Sequence, residues 1–242
     1  MKPALHAEWT KLRTSPGTLW LLVTFILATI GLSAFATATI VCRTGDCGID
    51  WVKLNLSGVQ LGQAVVAILA VTMIGGEYAT GMIRVSLAAV PRRSTLLAAK
   101  ASVLTVVVTF ASALAVAGCL AVGALSLDDG AVRRAALGSV LYLVLVALLA
   151  LGIGAAVRNP AVASGLVLGL LYLFPIMAQA VSDEKLQKQV LKLGPMTAGL
   201  AIQATTNLAD LPIAPWKGLG VLAAWAAGAL LLGGLLLRLR DA

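Results

Sequence analysis

Charge is what this sequence has least of. Only 12% of its 242 residues are Asp, Glu, Lys or Arg, where a soluble domain carries about 25%. With 60% hydrophobic residues and a mean hydropathy of +0.98, the chain has too little polar surface to face water all round. Its solvent is a bilayer. Histidine is almost absent too: the single one, His6, lies near the N-terminus and excludes a Ser–His pair buried in the membrane. No Asp or Glu falls centrally in an apolar run, which argues against an aspartyl protease, a proton relay or an ion-coupled pump. No GxxxxGK[ST] pattern occurs, so the chain binds no nucleotide through a P-loop. The three cysteines and the acids stand at no metal-ligand spacing. Neither a catalytic centre, a metal site, a cofactor nor an energy source is expected in this chain.

What is present in quantity is uninterrupted apolar sequence. Residues 18–41, 54–76, 101–127, 135–157, 161–182 and 218–237 contain no Asp, Glu, Lys or Arg. Each is long enough for a helix to cross the hydrocarbon layer, which takes about 20 residues, with every backbone polar group satisfied inside the segment. The expectation is an all-α polytopic protein with six spans in a single transmembrane domain over 1–242. Pro175 in "YLFPIM" makes the fifth span the least regular, because it removes a backbone donor. The first run is too long for the apolar core of a signal peptide.

Six spans bring both termini to one face. That face, taken as cytoplasmic, holds ten of the 18 basic residues but only three of the ten acidic ones, Glu8, Glu77 and Asp241. Most of the net charge of +8 therefore falls there. Such a surface adheres to anionic lipid headgroups and favours an acidic partner. Nucleic acid is a poor fit, because the basic residues are scattered over short loops beside the spans. On the other face, Cys42 and Cys47 in "CRTGDC" are either a small disulfide or two free thiols, and an oxidising compartment permits the bond.

Three connecting segments carry amphipathic patterns. In "KPALHAEWTKLRTSPG", Leu5, Trp9 and Leu12 form one stripe and His6, Thr10 and Arg13 another. This predicts an interfacial helix within 1–17, ended by Pro16-Gly17, with Trp9 at headgroup level. In "EYATGMIRVSLAAVPRRSTLLAAK", Ile83, Leu87 and Val90 repeat at helical spacing. A helix is expected from Tyr78 to Val90, stopped by Pro91, with Ser94 capping the next. Glu77 and Arg84, two turns apart, are placed to brace the corner as an ion pair. Otherwise the five charges of this segment only set orientation and depth. In "SDEKLQKQVLKLGP", Leu186, Val190 and Leu193 make a stripe, capped by Ser182 or Asp183 and ended at Gly194-Pro195. That helix is either a lid or a plain interfacial element.

Within the spans polarity is mild. Ser33 and Thr37 lie in the first, Gln60, Gln63 and Met73 in the second, Tyr172, Pro175 and Met177 in the fifth. Uncharged polar groups with Met and aromatics suit a path for a bulky amphipathic molecule. The same residue types also glue helices together, and both readings stand.

This order of pieces resembles the membrane subunit of an ABC-2 type ABC transporter, in the compact six-span version common in actinobacteria. The resemblance rests on "HAEWTKLRTSPGTLW" before the first span and on E-Y-x-x-G-x-I-R followed by P-R-R-x-x-x-L-x-A-K between the second and third. It implies that the N-terminal helix and the 77–100 segment dock a separate ATPase. Glu77, Tyr78, Gly81, Arg84, Arg92, Arg93 and Lys100 would then belong to the coupling region. It further implies a dimer of permeases, two copies of an ATPase that binds ATP and Mg, and an outer helical segment over 181–216. The function implied is outward movement of a drug, antibiotic, peptide or lipid-like compound across a bacterial cytoplasmic membrane, with both termini cytoplasmic. The rival is an ATP-independent immunity or scaffold protein that sequesters a toxic ligand.

Overall fold

A computed structural model of the chain describes residues 2–40, 48–89 and 93–239. Cys42, Cys47, Val90, Pro91 and Arg92 lie outside them. Among the described residues the structure is helical, with no strand. An N-terminal helix α1 (Lys2–Thr14) leads into α2 (Pro16–Thr39); a short α3 (Trp51–Asn55) leads into α4 (Gly58–Ala79), followed by a short α5 (Met82–Ala89). Next come α6 (Arg93–Val122), α7 (Gly130–Val157) and α8 (Pro160–Ala180). Two short helices, α9 (Glu184–Leu193) and α10 (Pro195–Leu200), precede the last span, α11 (Pro215–Leu239). The six expected spans correspond to α2, the α3–α4 pair, α6, α7, α8 and α11.

Apolar composition makes these segments helical in a bilayer, and local chemistry sets where they stop. Pro16 and Pro160 occupy first turns, where their missing N–H costs nothing. Asp129, Asn159 and Asp183 are N-caps whose side chains accept from the backbone N–H of Ala131, of Ala161 and Val162, and of Lys185. Asp183, one of the two expected caps, begins α9, and Gly194-Pro195 ends it. Pro175 leaves α8 unbroken to Ala180.

Four boundaries differ from expectation. The helix expected from Tyr78 to Val90 is two helices, because Thr80-Gly81 ends α4 and Gly81 takes φ +73°, a conformation glycine adopts without a Cβ penalty. Helix α6 starts at Arg93, so Ser94, the expected cap, lies inside its first turn. It also stops at Val122 rather than 127, beyond which Ala124 turns left-handed. Helix α7 starts at Gly130, five residues before its charge-free run.

Helix α7 is the axle of the bundle, packed against α4, α6 and α11. Over an 18-residue apolar stretch of each span, 61% of the residues are buried in the α3–α4 and α7 spans, against 17% in α2 and 22% in α8 and α11; these last three present wide apolar faces to whatever surrounds the subunit. The α7–α11 crossing is a backbone contact. A Cβ on Gly152 would lie 2.5 Å from the Ala229 carbonyl carbon, and one on Gly233 2.5 Å from the Gly152 carbonyl oxygen. Small residues at such a crossing supply the close van der Waals packing that holds helices together in lipid.

Candidate functional site

The end of the bundle that carries both termini is built around a group of charges withdrawn from water. Lys100, on α6, is fully buried, and Glu8 of α1 and Glu77 of α4 are nearly so. The Lys100 Nζ donates to Glu8 Oε2 at 2.7 Å and to Glu77 Oε1 at 2.8 Å. Lys11, half-buried on α1, donates to the same Glu77 oxygen at 2.7 Å, to Glu8 Oε1 at 3.3 Å and to the Ser86 hydroxyl of α5 at 3.0 Å. Two carboxylates and two ammonium groups thus join α1, α4, α5 and α6 in one neutral cluster.

The physics of burial explains why the charges come together. An isolated ion in this setting costs several kcal/mol, and compensation demands close partners of opposite sign. Burial alone lowers the Lys11 pKa, but the hydrogen bond to Glu77 and the charges of Glu8 and Glu77 outweigh it and hold the ammonium above its ordinary 10.5.

Around this cluster further contacts fasten the turns. The Arg93 guanidinium donates to the Leu237 carbonyl at 2.7 Å, tying the start of α6 to the last turn of α11. Arg158, the left-handed cap of α7, lies over the Tyr78 ring at 5.4 Å, a cation–π contact between α4 and the α7–α8 turn. Beside the cluster a cavity of about 520 Å³ opens between α1, α2 and α4. Glu77 and Lys11 line its polar part, and Leu21, Leu69 and Met73 its apolar part.

The opposite end is closed differently. The segment after α9 turns back into the bundle, where α10 and the 3-10 turn Ala201–Gln203 are buried. Gln63 receives the Tyr142 hydroxyl and donates to the Met196 sulfur at 3.1 Å. Gln203 donates to Ser139 at 3.0 Å, and Arg134 to the Ala204 carbonyl at 2.6 Å. Asp50, the N-cap of α3, accepts from the backbone N–H of Lys53, Thr205 and Thr206 and from the Thr205 hydroxyl. Burial raises its pKa, but those donors, Thr205 first, more than reverse that and bring it below its ordinary 3.8.

A family model for ABC-2 family transporter proteins matches residues 4–176. The chain belongs to that family. It is the membrane-embedded permease of a transporter, and ABC-2 permeases generally work with an ATPase subunit. No curated protein matches the sequence.

In this permease the structure brings together Glu77 and Lys100 of the expected coupling set, with Tyr78 and Gly81 at the adjoining α4–α5 turn and Arg93 at the foot of α6. Glu77 pairs with Lys100 and Lys11, from two other helices; the Arg84 side chain, and with it the expected Glu77–Arg84 brace, lies outside the described residues, as does Arg92. The stripe of α1 also differs. Ala4, Glu8 and Leu12 face inward, Leu5 is half-buried, and Trp9 is exposed with His6, Thr10 and Arg13. Sequence reasoning passed over Glu8 and Lys11. The signal that finds Glu8 is its place midway between Ala4 and Leu12, one helical turn from each.

The expected path residues divide. Ser33 is buried, 3.2 Å from the Cys119 sulfur and accepting from the Gly58 N–H, and Thr37 bonds to carbonyls one turn back. Gln63 is buried with its two partners. Gln60 is exposed and its carbonyl accepts from the Tyr172 hydroxyl. Pro175 is half-buried and Met177 exposed on α8, and Met73 lines the cavity beside the charge cluster.

Proposed function

We propose that this permease is the membrane subunit of an ATP-driven exporter that moves a hydrophobic or amphipathic compound outward. The driving force is supplied by a separate ATPase, present in two copies, which binds ATP and Mg. A second permease copy completes the path, and the face with both termini is cytoplasmic in a bacterial cytoplasmic membrane. The observation that carries this reading is the buried cluster of Glu8, Lys11, Glu77 and Lys100. It fuses the interfacial helix, the end of the second span, α5 and the foot of the third span into one rigid corner.

A motor pressing on that corner moves the spans rather than bending a loop. Helix α5 is suited to receive the push. It is separated from α4 by the Gly81 turn, is held at Ser86 by Lys11, and presents Met82 and Val85 outward, 48% and 67% exposed. The cavity between α1, α2 and α4 combines polar and apolar walls at the same corner, as entry of an amphipathic molecule requires. Drugs, antibiotics, peptides and lipid-like products all meet that description.

Val85→Asp tests the docking role. The residue faces outward, so the variant is expected to insert and purify normally, yet to lose co-purification with an ATPase encoded beside it and to lose stimulated ATP hydrolysis. Unchanged association removes α5 from the docking surface. Resistance to a toxic compound that persists without the ATPase favours sequestration over export.

A further inference from the structure

A second groove lies on the other flank of α1, and its chemistry differs from that of the cavity beside the charge cluster. Its volume is about 590 Å³, and its floor is formed by Leu22 and Ile26 of α2 facing Val107, Phe110 and Leu114 of α6. Along α2 the groove extends from Thr18 to Ile26, a rise of about 12 Å. It lies alongside the spans, as the fatty-acyl region of a bilayer does. At its mouth stand Trp9 and Arg13, both exposed on the outward side of α1. Among the described residues no carboxylate lines it, and Arg13 is its one charged residue. The carboxylate of Glu8 on the same helix is already committed to Lys11 and Lys100 on the inward side.

We infer that this groove is a binding site for one anionic phospholipid, with an acyl chain between α2 and α6 and the headgroup phosphate against the Arg13 guanidinium. Arginine matches phosphate through paired N–H donors, and tryptophan at the interface stacks its apolar body on the chain while keeping its N–H in the headgroup layer. Charge selects the lipid. A zwitterionic headgroup brings an ammonium for which the groove offers no acceptor carboxylate, whereas an anionic one brings only what Arg13 attracts. The site depends only on the protein's residence in a bilayer, so it stands or falls independently of the exporter reading.

The test is retention of lipid by the full chain purified from nanodiscs of equal phosphatidylglycerol and phosphatidylcholine, read by native mass spectrometry. The wild type is expected to retain phosphatidylglycerol in excess. Arg13→Glu should reduce that excess by roughly five-fold or more, the scale of one basic residue's attraction to an anionic surface. Val107→Trp, which fills the floor, should reduce retention of both lipids. If either variant is not monodisperse, Arg13→Gln tests the charge alone, with a smaller loss expected. Equal retention of the two lipids by the wild type, or an unchanged excess in the Arg13 variants, overturns the assignment. A change of oligomeric state in Val107→Trp with lipid retention intact also overturns it, and makes the groove a contact between copies.

Discussion

The two ends of the bundle are closed by opposite means. At the end bearing the termini, four charged side chains from three helices neutralise one another, three of them buried and Lys11 partly exposed, with Ser86 drawn in from a fourth. At the other, a re-entrant segment is held by neutral hydrogen bonds, by the Arg134 guanidinium on the Ala204 carbonyl and by one carboxylate, Asp50, that addresses backbone N–H groups. The first arrangement fails badly when one member is lost, because a buried charge is left without its counterpart. The second loses its contacts one at a time. A corner of the first kind suits transmission of force between helices; a closure of the second kind suits a segment that must be fixed in register but can be released.

Lys100→Met is the harshest way to break this contrast. It leaves Glu8 and Glu77 buried with only half-exposed Lys11, and should destabilise the protein by about 3–5 kcal/mol, read as a large fall in the thermal midpoint in detergent. Adding Glu77→Gln should recover part of that loss, because one carboxylate and Lys11 then balance. A Lys100→Met protein as stable as wild type would show that the cluster contributes nothing to the corner. Next in size, Asp50→Ala should cost about 1.5–3 kcal/mol, the range for hydrogen bonds to a charged group. Its effect should appear as faster amide exchange at Thr205 and Thr206 with the terminal corner unchanged.

Titration separates the two ends further. The Asp50 pKa is depressed, so its contribution is complete above its ordinary 3.8 and is lost as pH falls through the lower folded value. The Lys11 pKa is raised, so its contribution is complete below 10.5 and is lost as pH rises through the higher folded value. Acid should therefore loosen the re-entrant segment first and strong base the terminal corner, with amide exchange as the readout. Both groups are partly exposed, so solvent screening keeps both effects modest. Smallest of all is Lys188→Ala on α9, whose 2.6 Å pair with Glu184 is exposed; no shift of the thermal midpoint is expected.

The spans were legible because a bilayer demands long charge-free runs, and that demand acts on every residue of a segment at once. The ends of α9 were legible for a similar reason: Asp183 and Gly194-Pro195 act locally. The charge cluster was not. Glu8 and Lys100 are 92 positions apart, and each alone reads as a polar residue at a membrane surface. What marks them is company. Glu8 falls on the Ala4–Leu12 stripe, and Lys100 stands among Leu96, Leu97, Val103 and Leu104, all buried. A charge on an apolar helical face requires a counter-charge on another helix, but periodicity does not say which. The same reasoning explains Ser33 and Gln63, whose polarity alone does not distinguish a wall from a joint.

The hold of Arg93 on the Leu237 carbonyl gives the last span a part to play. Helix α11 lies beyond the stretch that matches the family, yet its final turn is gripped from the foot of α6, and its middle is seated backbone to backbone on α7 at Gly152 and Gly233. Fixed at two points, it has no independent swing. Any tilt of the α6 base must travel down α11 like a load along a strut and arrive at the end of α9, where Trp225 donates to the Leu193 carbonyl.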